Sequence, residues 1–136
     1  MNETAQILRG MEFSPVFESF GQFEKEQIAR AANVRSYKAR EFIFTIQNKE
    51  KFFFLVYSGE LSLRLKTRKI KKYKKGDIFG EVSIFANEYR SGNIRALADS
   101  ILIAFDIRKV FDAAFVETEI QLKLLRKLTE IIISRF

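Results

Sequence analysis

Residues 79–96 read FGEVSIFANEYRSGNIRA, and no other part of the chain is as informative. The stretch opens with a glycine and an acid, Gly80 and Glu81, and an arginine, Arg90, follows beside a small hydroxyl residue. Gly80 lets a ligand approach the backbone where a Cβ would clash, and Glu81 can accept hydrogen bonds from sugar hydroxyls. Arg90 offers a charged fork to a phosphate. If residues 82–86 form a helical turn, its free N–H groups face the same anion. The stretch therefore suits a sugar-phosphate.

This stretch closely resembles the phosphate-binding cassette of the cyclic nucleotide-binding domain family. That family includes the catabolite activator protein, the regulatory subunits of protein kinase A and cyclic nucleotide-gated channels. Its pattern is Phe-Gly-Glu, an apolar turn, a short loop, and Arg followed by a small residue. Phe79, Gly80, Glu81, Arg90 and Ser91 stand at those positions, and Glu81 and Arg90 are nine residues apart. Five matched positions at fixed spacing form a specific signal, whereas a lone glycine motif would be weak. Residues 79–91 are called the cassette below.

The resemblance implies a role for each matched residue. Glu81 would bind the ribose 2′-hydroxyl, Arg90 the phosphate, and Ser91 would add a hydroxyl and a backbone N–H. Leu63 and Val82 resemble apolar wall positions, although plain core packing explains them nearly as well. The implied ligand-binding residues are Phe79, Gly80, Glu81, Val82, Ser83, Arg90, Ser91 and Leu63. We expect cyclic AMP rather than cyclic GMP as ligand, with no other cofactor; Ser91 is compatible with cyclic AMP but does not decide the base. The alternative is a structural ion pair between Glu81 and Arg90.

The composition favours a binding protein over an enzyme. At 136 residues we expect one domain, residues 1–136, and 47% hydrophobic residues suffice for a sizeable core. The chain has no Cys and no His, which excludes imidazole bases, thiol nucleophiles and metal sites built from histidine or thiolate. We therefore expect no catalytic residues and no metal. With no cysteine, no apolar run long enough to span a membrane and no signal-peptide pattern, a cytoplasmic location is expected.

The net charge of +7 comes from one segment, which we call the basic run. Eight basic residues occur within the twelve positions 64–75, and without them the charge would be 7 − 8 = −1. They are Arg64, Lys66, Arg68, Lys69, Lys71, Lys72, Lys74 and Lys75. The run could be a solvated hairpin face, a patch for nucleic acid or anionic lipid, or a field that attracts the nucleotide. Nucleic acid is disfavoured, because the family's transcription factors carry a helix-turn-helix after the last helix and here the chain stops at Phe136.

The hydrophobic pattern predicts helices, then strands, then helices. Helical stretches are expected at residues 2–9 and 23–32, and short strands with regular turn signals follow. The resemblance, over residues 10–135, implies a mainly β fold: a jelly-roll-like β-roll, or double-stranded β-helix. It would span about 34–106, between an N-terminal helical segment and two C-terminal helices at about 107–135. The family often has Gly in the turn at residues 39–41. Because a left-handed turn disfavours Arg40, we expect this turn to be built differently.

The last helix carries more apolar residues than one packed face needs. They are Ile120, Leu122, Leu124, Leu125, Leu128, Ile131, Ile132 and Ile133. The surplus predicts a homodimer through residues 120–133, or a lid over the nucleotide. The leading hypothesis is a cyclic nucleotide sensor that signals through its C-terminal helices to an unidentified protein partner. The alternative is a protein-interaction module that keeps the same β-roll without a ligand.

Overall fold

The computed structural model describes residues 1–44, 51–65, 70–81 and 92–134. Within them the strands form two four-stranded antiparallel sheets. The strands are β1 Ala32–Tyr37, β2 Phe42–Phe44, β3 Phe52–Ser58, β4 Glu60–Leu65, β5 Ile70–Lys74, β6 Ile78–Phe79, β7 Gly92–Ala96 and β8 Ser100–Asp106. One sheet, which we call the helix-side sheet, has the order β1-β8-β3-β6, and the other, the open sheet, has the order β2-β7-β4-β5. The predicted β-roll is confirmed.

Helices flank the roll at both ends of the chain, as predicted. The N-terminal segment contains α1 Glu3–Glu12, a 3₁₀ turn Pro15–Phe17 and α2 Gln22–Ala29, and β8 is followed by α3 Ile107–Val110 and α4 Thr118–Ser134. Asn2 begins α1 by accepting a hydrogen bond from the Ala5 N–H at 2.8 Å. The predicted end of the second helix at residue 32 is wrong. Ala32 pairs with Phe105 in β1, so strand pairing overrides local helix propensity there.

Two hydrophobic cores lie on opposite faces of the helix-side sheet. Successive side chains of a strand point to opposite faces. In β3, Phe53 and Leu55 therefore join the core under the helices, while Phe54 and Val56 join the core between the two sheets. This explains why β3 reads as an unbroken apolar run, since both of its faces are buried. The second core lines the interior of the roll, where the cassette begins and ends.

The turn at residues 39–41 keeps a left-handed residue, contrary to expectation. Arg40 has φ of +77°, a conformation that costs a non-glycine residue about 1–2 kcal/mol. Hydrogen bonds hold it there: its N–H donates to the Ala96 carbonyl at 2.8 Å, and its carbonyl accepts from Arg95 Nε at 2.7 Å. Asp99 accepts from the neighbouring Ala39 N–H at 2.9 Å. Contacts with the end of β7 and with the β7–β8 connection therefore stabilise this turn without a glycine.

Candidate functional site

The cassette begins in the short strand β6, which the sequence pattern did not predict. Phe79 pairs with Phe54 across the β3–β6 ladder. Its ring is buried in the interior of the roll, 5.1 Å from the Phe54 ring and 5.1 Å from the Tyr73 ring, measured between centroids. Because Tyr73 belongs to the open sheet, this aromatic stack joins the two sheets directly beside the cassette. Phe79 thus packs in the interior core, and its predicted contact with a ligand stays a prediction.

Gly80 and Glu81 follow immediately at the end of β6. Gly80 has φ of +85°, a backbone conformation that favours glycine. A close approach of a ligand at this residue stays a prediction. The left-handed residue turns the chain out of the ladder, and the Glu81 side chain becomes buried, with 1% of its surface exposed. Carboxylates are kept in such positions only where hydrogen bonds or a cation balance them. A buried carboxylate directly after β6 is compatible with the predicted ribose contact and with the structural ion pair.

The cassette ends where the chain enters the open sheet. Gly92 is the first residue of β7 and pairs with Leu65 of β4, and Ile94 pairs with Leu63. The chain therefore leaves the helix-side sheet at Phe79 and rejoins the opposite sheet at Gly92, so residues 80–91 connect the two sheets of the roll. The predicted site residues Val82, Ser83, Arg90 and Ser91 lie outside the described residues.

Leu63 lies beside the end of the cassette, as its predicted role requires. It is buried in the interior core, and a Cβ added to Gly92 would lie 2.9 Å from Leu63 Cδ1 and 2.5 Å from the Arg64 carbonyl oxygen. Leu63 is thus close to Gly92, which directly follows Ser91. Core packing is shown for Leu63, and a contact with a ligand stays a prediction.

The β4–β5 register divides the basic run in a way that the sequence did not predict. Lys71 pairs with Leu63 and Tyr73 with Leu61, which puts Lys71 on the same face as the interior side chains. Lys72 pairs with Ser62 and lies on the opposite, outer face. Lys71 is exposed at the edge strand of the open sheet. Lys71 is therefore the one described cation of β5 on the cassette side. The alternation of side chains along a strand was the sequence signal that could have predicted this position.

Hydrogen bonds connect α4 and the residue before it to the N-terminal segment. Lys123 of α4 donates to the Ser19 carbonyl at 2.6 Å and to Glu24 Oε1 at 2.9 Å. Glu24 also accepts from the Gly21 N–H at 2.8 Å. That backbone hydrogen bond, and next the hydrogen bond from Lys123, lower the pKa of Glu24 below its ordinary value. The Glu117 N–H, just before α4, donates to the buried Gln27 Oε1 at 2.9 Å.

The apolar residues of α4 divide between a buried face and an outer face. Ile120, Leu124 and Leu128 are buried in the core under the helices. Leu122 and Ile133 are exposed, and the half-buried residues are Leu125, Ile131 and Ile132. One face of α4 is therefore buried in this core, and an apolar surplus remains outside it. No helix in the described part of the chain is long and apolar enough to cross a membrane.

A family model described as the cyclic nucleotide-binding domain matches residues 34–115. The chain belongs to the cyclic nucleotide-binding domain family. The match begins in β1 and ends after α3, so it includes both sheets and the whole cassette. The resemblance noted in the sequence is confirmed at the level of the family.

Known relatives of this cyclic nucleotide-binding domain are larger proteins. Over 88 residues, 63% of the chain, it is 30% identical to the cAMP-dependent protein kinase regulatory subunit of Emericella nidulans, of which it covers 21%. Over 96 residues, 71% of the chain, it is 27% identical to a cGMP-dependent protein kinase of Eimeria tenella, of which it covers 10%. The chain thus spans between a tenth and about a fifth of the length of these relatives.

A solved structure shares the fold over nearly the whole chain. A cyclic nucleotide-binding domain from Methylobacillus flagellatus superposes with a TM-score of 0.80 at 17% identity, over 98% of this chain and 78% of that one. At this identity the likeness concerns the fold. It extends beyond residues 34–115 and includes the flanking helices.

Proposed function

We propose that this domain is a non-catalytic, cytoplasmic sensor that binds a cyclic nucleotide at the cassette, cyclic AMP in preference to cyclic GMP. The observation that carries the proposal is the buried carboxylate of Glu81 directly after the left-handed Gly80. It lies where the chain crosses from one sheet to the other, at a spacing of nine residues from Arg90. A carboxylate for ribose hydroxyls and a guanidinium for a phosphate match the two polar halves of a cyclic nucleotide.

The choice of base is supported by sequence alone. Ser91 occupies the position at which Thr often favours cyclic GMP in the family, and one relative is named for cAMP and the other for cGMP. We therefore propose cyclic AMP from the absence of that Thr. Isothermal titration calorimetry with both nucleotides tests it, using protein refolded from denaturant to remove any nucleotide that co-purified. Tighter binding of cyclic GMP would reverse the assignment, and no binding of either would favour the ligand-free interaction module.

The output of the sensor is proposed to pass through α4. The cassette starts in β6, which pairs with β3; β3 pairs with β8, and β8 runs directly into α3. Any displacement of β6 on ligand binding therefore acts on the sheet to which the C-terminal helices are attached. A ligand can shift α4 only if it binds two arrangements unequally. Hydrogen exchange of the α4 amides should change on addition of cyclic AMP; identical exchange with and without ligand would contradict this route.

The outer face of α4 is proposed as the contact with a second copy. Leu122, Leu125, Ile132 and Ile133 leave apolar surface outside the core. A two-fold pair would bury it in one self-complementary patch. If the protein is a monomer in solution, the same face would instead close over the nucleotide as a lid or bind an unidentified protein partner.

A further inference from the structure

The outer face of the open sheet carries a cluster of cations that the nucleotide site does not use. Arg64, Lys72, Lys74 and Arg95 are all exposed. Cross-strand pairs bring them together: Ser62 pairs with both Lys72 and Arg95, and Arg64 lies two residues further along β4 on the same face. We call these four residues the basic face. It contains cations from three neighbouring strands, one of which, β7, lies outside the basic run.

The basic face has little acid to neutralise it. Glu60 is the only acid in the four strands of the open sheet, all of which the structure describes. Its carboxylate lies 3.8 Å from Lys72 Nζ, with both side chains largely exposed, so this pair is weak. Lys75 is not part of the face, because it follows the end of β5 and its Nζ lies against the N-terminal segment, 4.0 Å from the ring centroid of Phe13. The face therefore keeps an excess of positive charge that can attract an anionic partner.

Exposed apolar side chains lie among these cations. Phe42, Ile70 and Leu97 are 50%, 56% and 45% exposed. Phe42 pairs with Arg95, Ile70 pairs with Arg64, and the Leu97 N–H donates to the Glu60 carbonyl at 2.8 Å, so each flanks a residue of the outer face. Single exposed apolar residues are ordinary, but three on one basic sheet face form a mixed surface of apolar tips and cations.

We propose that the basic face binds the surface of an anionic phospholipid bilayer. Lys and Arg side chains bind the phosphates and carboxylates of anionic headgroups, and apolar side chains gain by entering the boundary with the acyl chains. The aliphatic residues Ile70 and Leu97 distinguish this partner from nucleic acid. Bases bind by stacking on aromatic rings, for which aliphatic side chains offer no platform. The open sheet presents the whole cluster at once, because all four cations are exposed on its outer face.

Co-sedimentation of the full chain with vesicles tests the proposal. Vesicles of phosphatidylcholine alone are compared with vesicles that also contain phosphatidylserine, and we expect binding only to the second kind. Each basic residue near an anionic surface strengthens binding about fivefold. The double variant Lys72→Gln and Lys74→Gln should therefore bind phosphatidylserine vesicles ~25-fold more weakly. The matched control, Arg30→Gln with Arg108→Gln, removes the same charge from exposed positions just after α2 and in α3. It should lose no more than about threefold in vesicle binding, because distant charges are screened.

A second pair of variants separates a bilayer from other polyanions. Ile70→Ser with Leu97→Ser should weaken vesicle binding about tenfold, because apolar burial is lost, whereas Phe23→Ser on α2 should not. Binding of cyclic AMP and the circular dichroism spectrum report whether these variants remain folded. The proposal is overturned if wild-type protein ignores phosphatidylserine vesicles. It is also overturned by two results together. The first is normal vesicle binding by the apolar variant, and the second is an affinity of wild type for a labelled single-stranded oligonucleotide that equals its affinity for vesicles.

Discussion

Substitution of Gly92 by Ala tests how the end of the cassette is held. The residue is buried at the start of β7, and an added Cβ would lie 2.5 Å from the Arg64 carbonyl oxygen and 2.9 Å from Leu63 Cδ1. Contacts below 3.0 Å to a backbone atom cannot be relieved by a side-chain rotation. Arg64 lies in the β4–β7 ladder, where it pairs with Asn93, so β7 has to move away from β4.

The expected loss of stability follows from that movement. Insertion of a methyl group into a packed site costs about 1–3 kcal/mol. Each hydrogen bond broken at the strand end adds ~1 kcal/mol. The lower conformational freedom of the unfolded Ala chain returns about 0.4–1 kcal/mol. We therefore expect Gly92→Ala to lower the free energy of unfolding by about 1–3 kcal/mol, which leaves a domain of ordinary stability folded.

Urea denaturation followed by circular dichroism measures this change. Gly21→Ala is the control, because the nearest atom to its added Cβ is Glu24 Oε1 at an ordinary 3.7 Å. The control should differ from wild type by less than about 1 kcal/mol, since loss of helix capping and gain of chain stiffness oppose each other. Calorimetry should also show weaker cyclic AMP binding by Gly92→Ala, because Leu63 and the cassette meet there. A variant as stable as wild type would refute the close packing of β4 on β7.

Four further predictions concern the ligand, the helices and the oligomeric state. Arg90→Ala should weaken cyclic nucleotide binding by on the order of 2–5 kcal/mol, while Arg64→Ala, exposed on the outer face, should titrate like wild type in the calorimeter. Glu81→Gln should lose most of the discrimination between ribo and 2′-deoxy nucleotide, and equal wild-type affinity for both ligands would exclude the ribose role. The contribution of ionised Glu24 to stability is fully present when the pH is above the ordinary pKa of Glu, and it is lost as the pH falls through the lowered pKa of the folded state. The Glu24→Gln variant should therefore lose less stability on acidification than wild type, as measured by thermal unfolding. Leu125→Glu or Ile132→Glu should give monomers by light scattering, whereas a wild-type monomer at micromolar concentration would refute the dimer.

The family could be predicted because its signal is local. Gly80, Glu81 and Arg90 belong to one short segment, and their identity and spacing carry the chemistry without knowledge of the rest of the fold. The apolar run of β3 is likewise a local signal, since burial on both faces leaves no polar position in the pattern. Turn signals and strand alternation predicted a small all-β sandwich or roll, and the family resemblance identified it as a β-roll.

Pairing between strands that are distant in the sequence determined features that local sequence patterns do not specify. The basic run is one block in sequence, yet the β4–β5 register puts Lys71 on the cassette side and Lys72 on the outer face with Arg95. Gly92 reads as a weak strand residue, but the approach of β4 leaves no room for a side chain there. Register, sheet order and close approach arise from contacts between residues far apart in the chain, and the sequence near any one of these residues does not encode them.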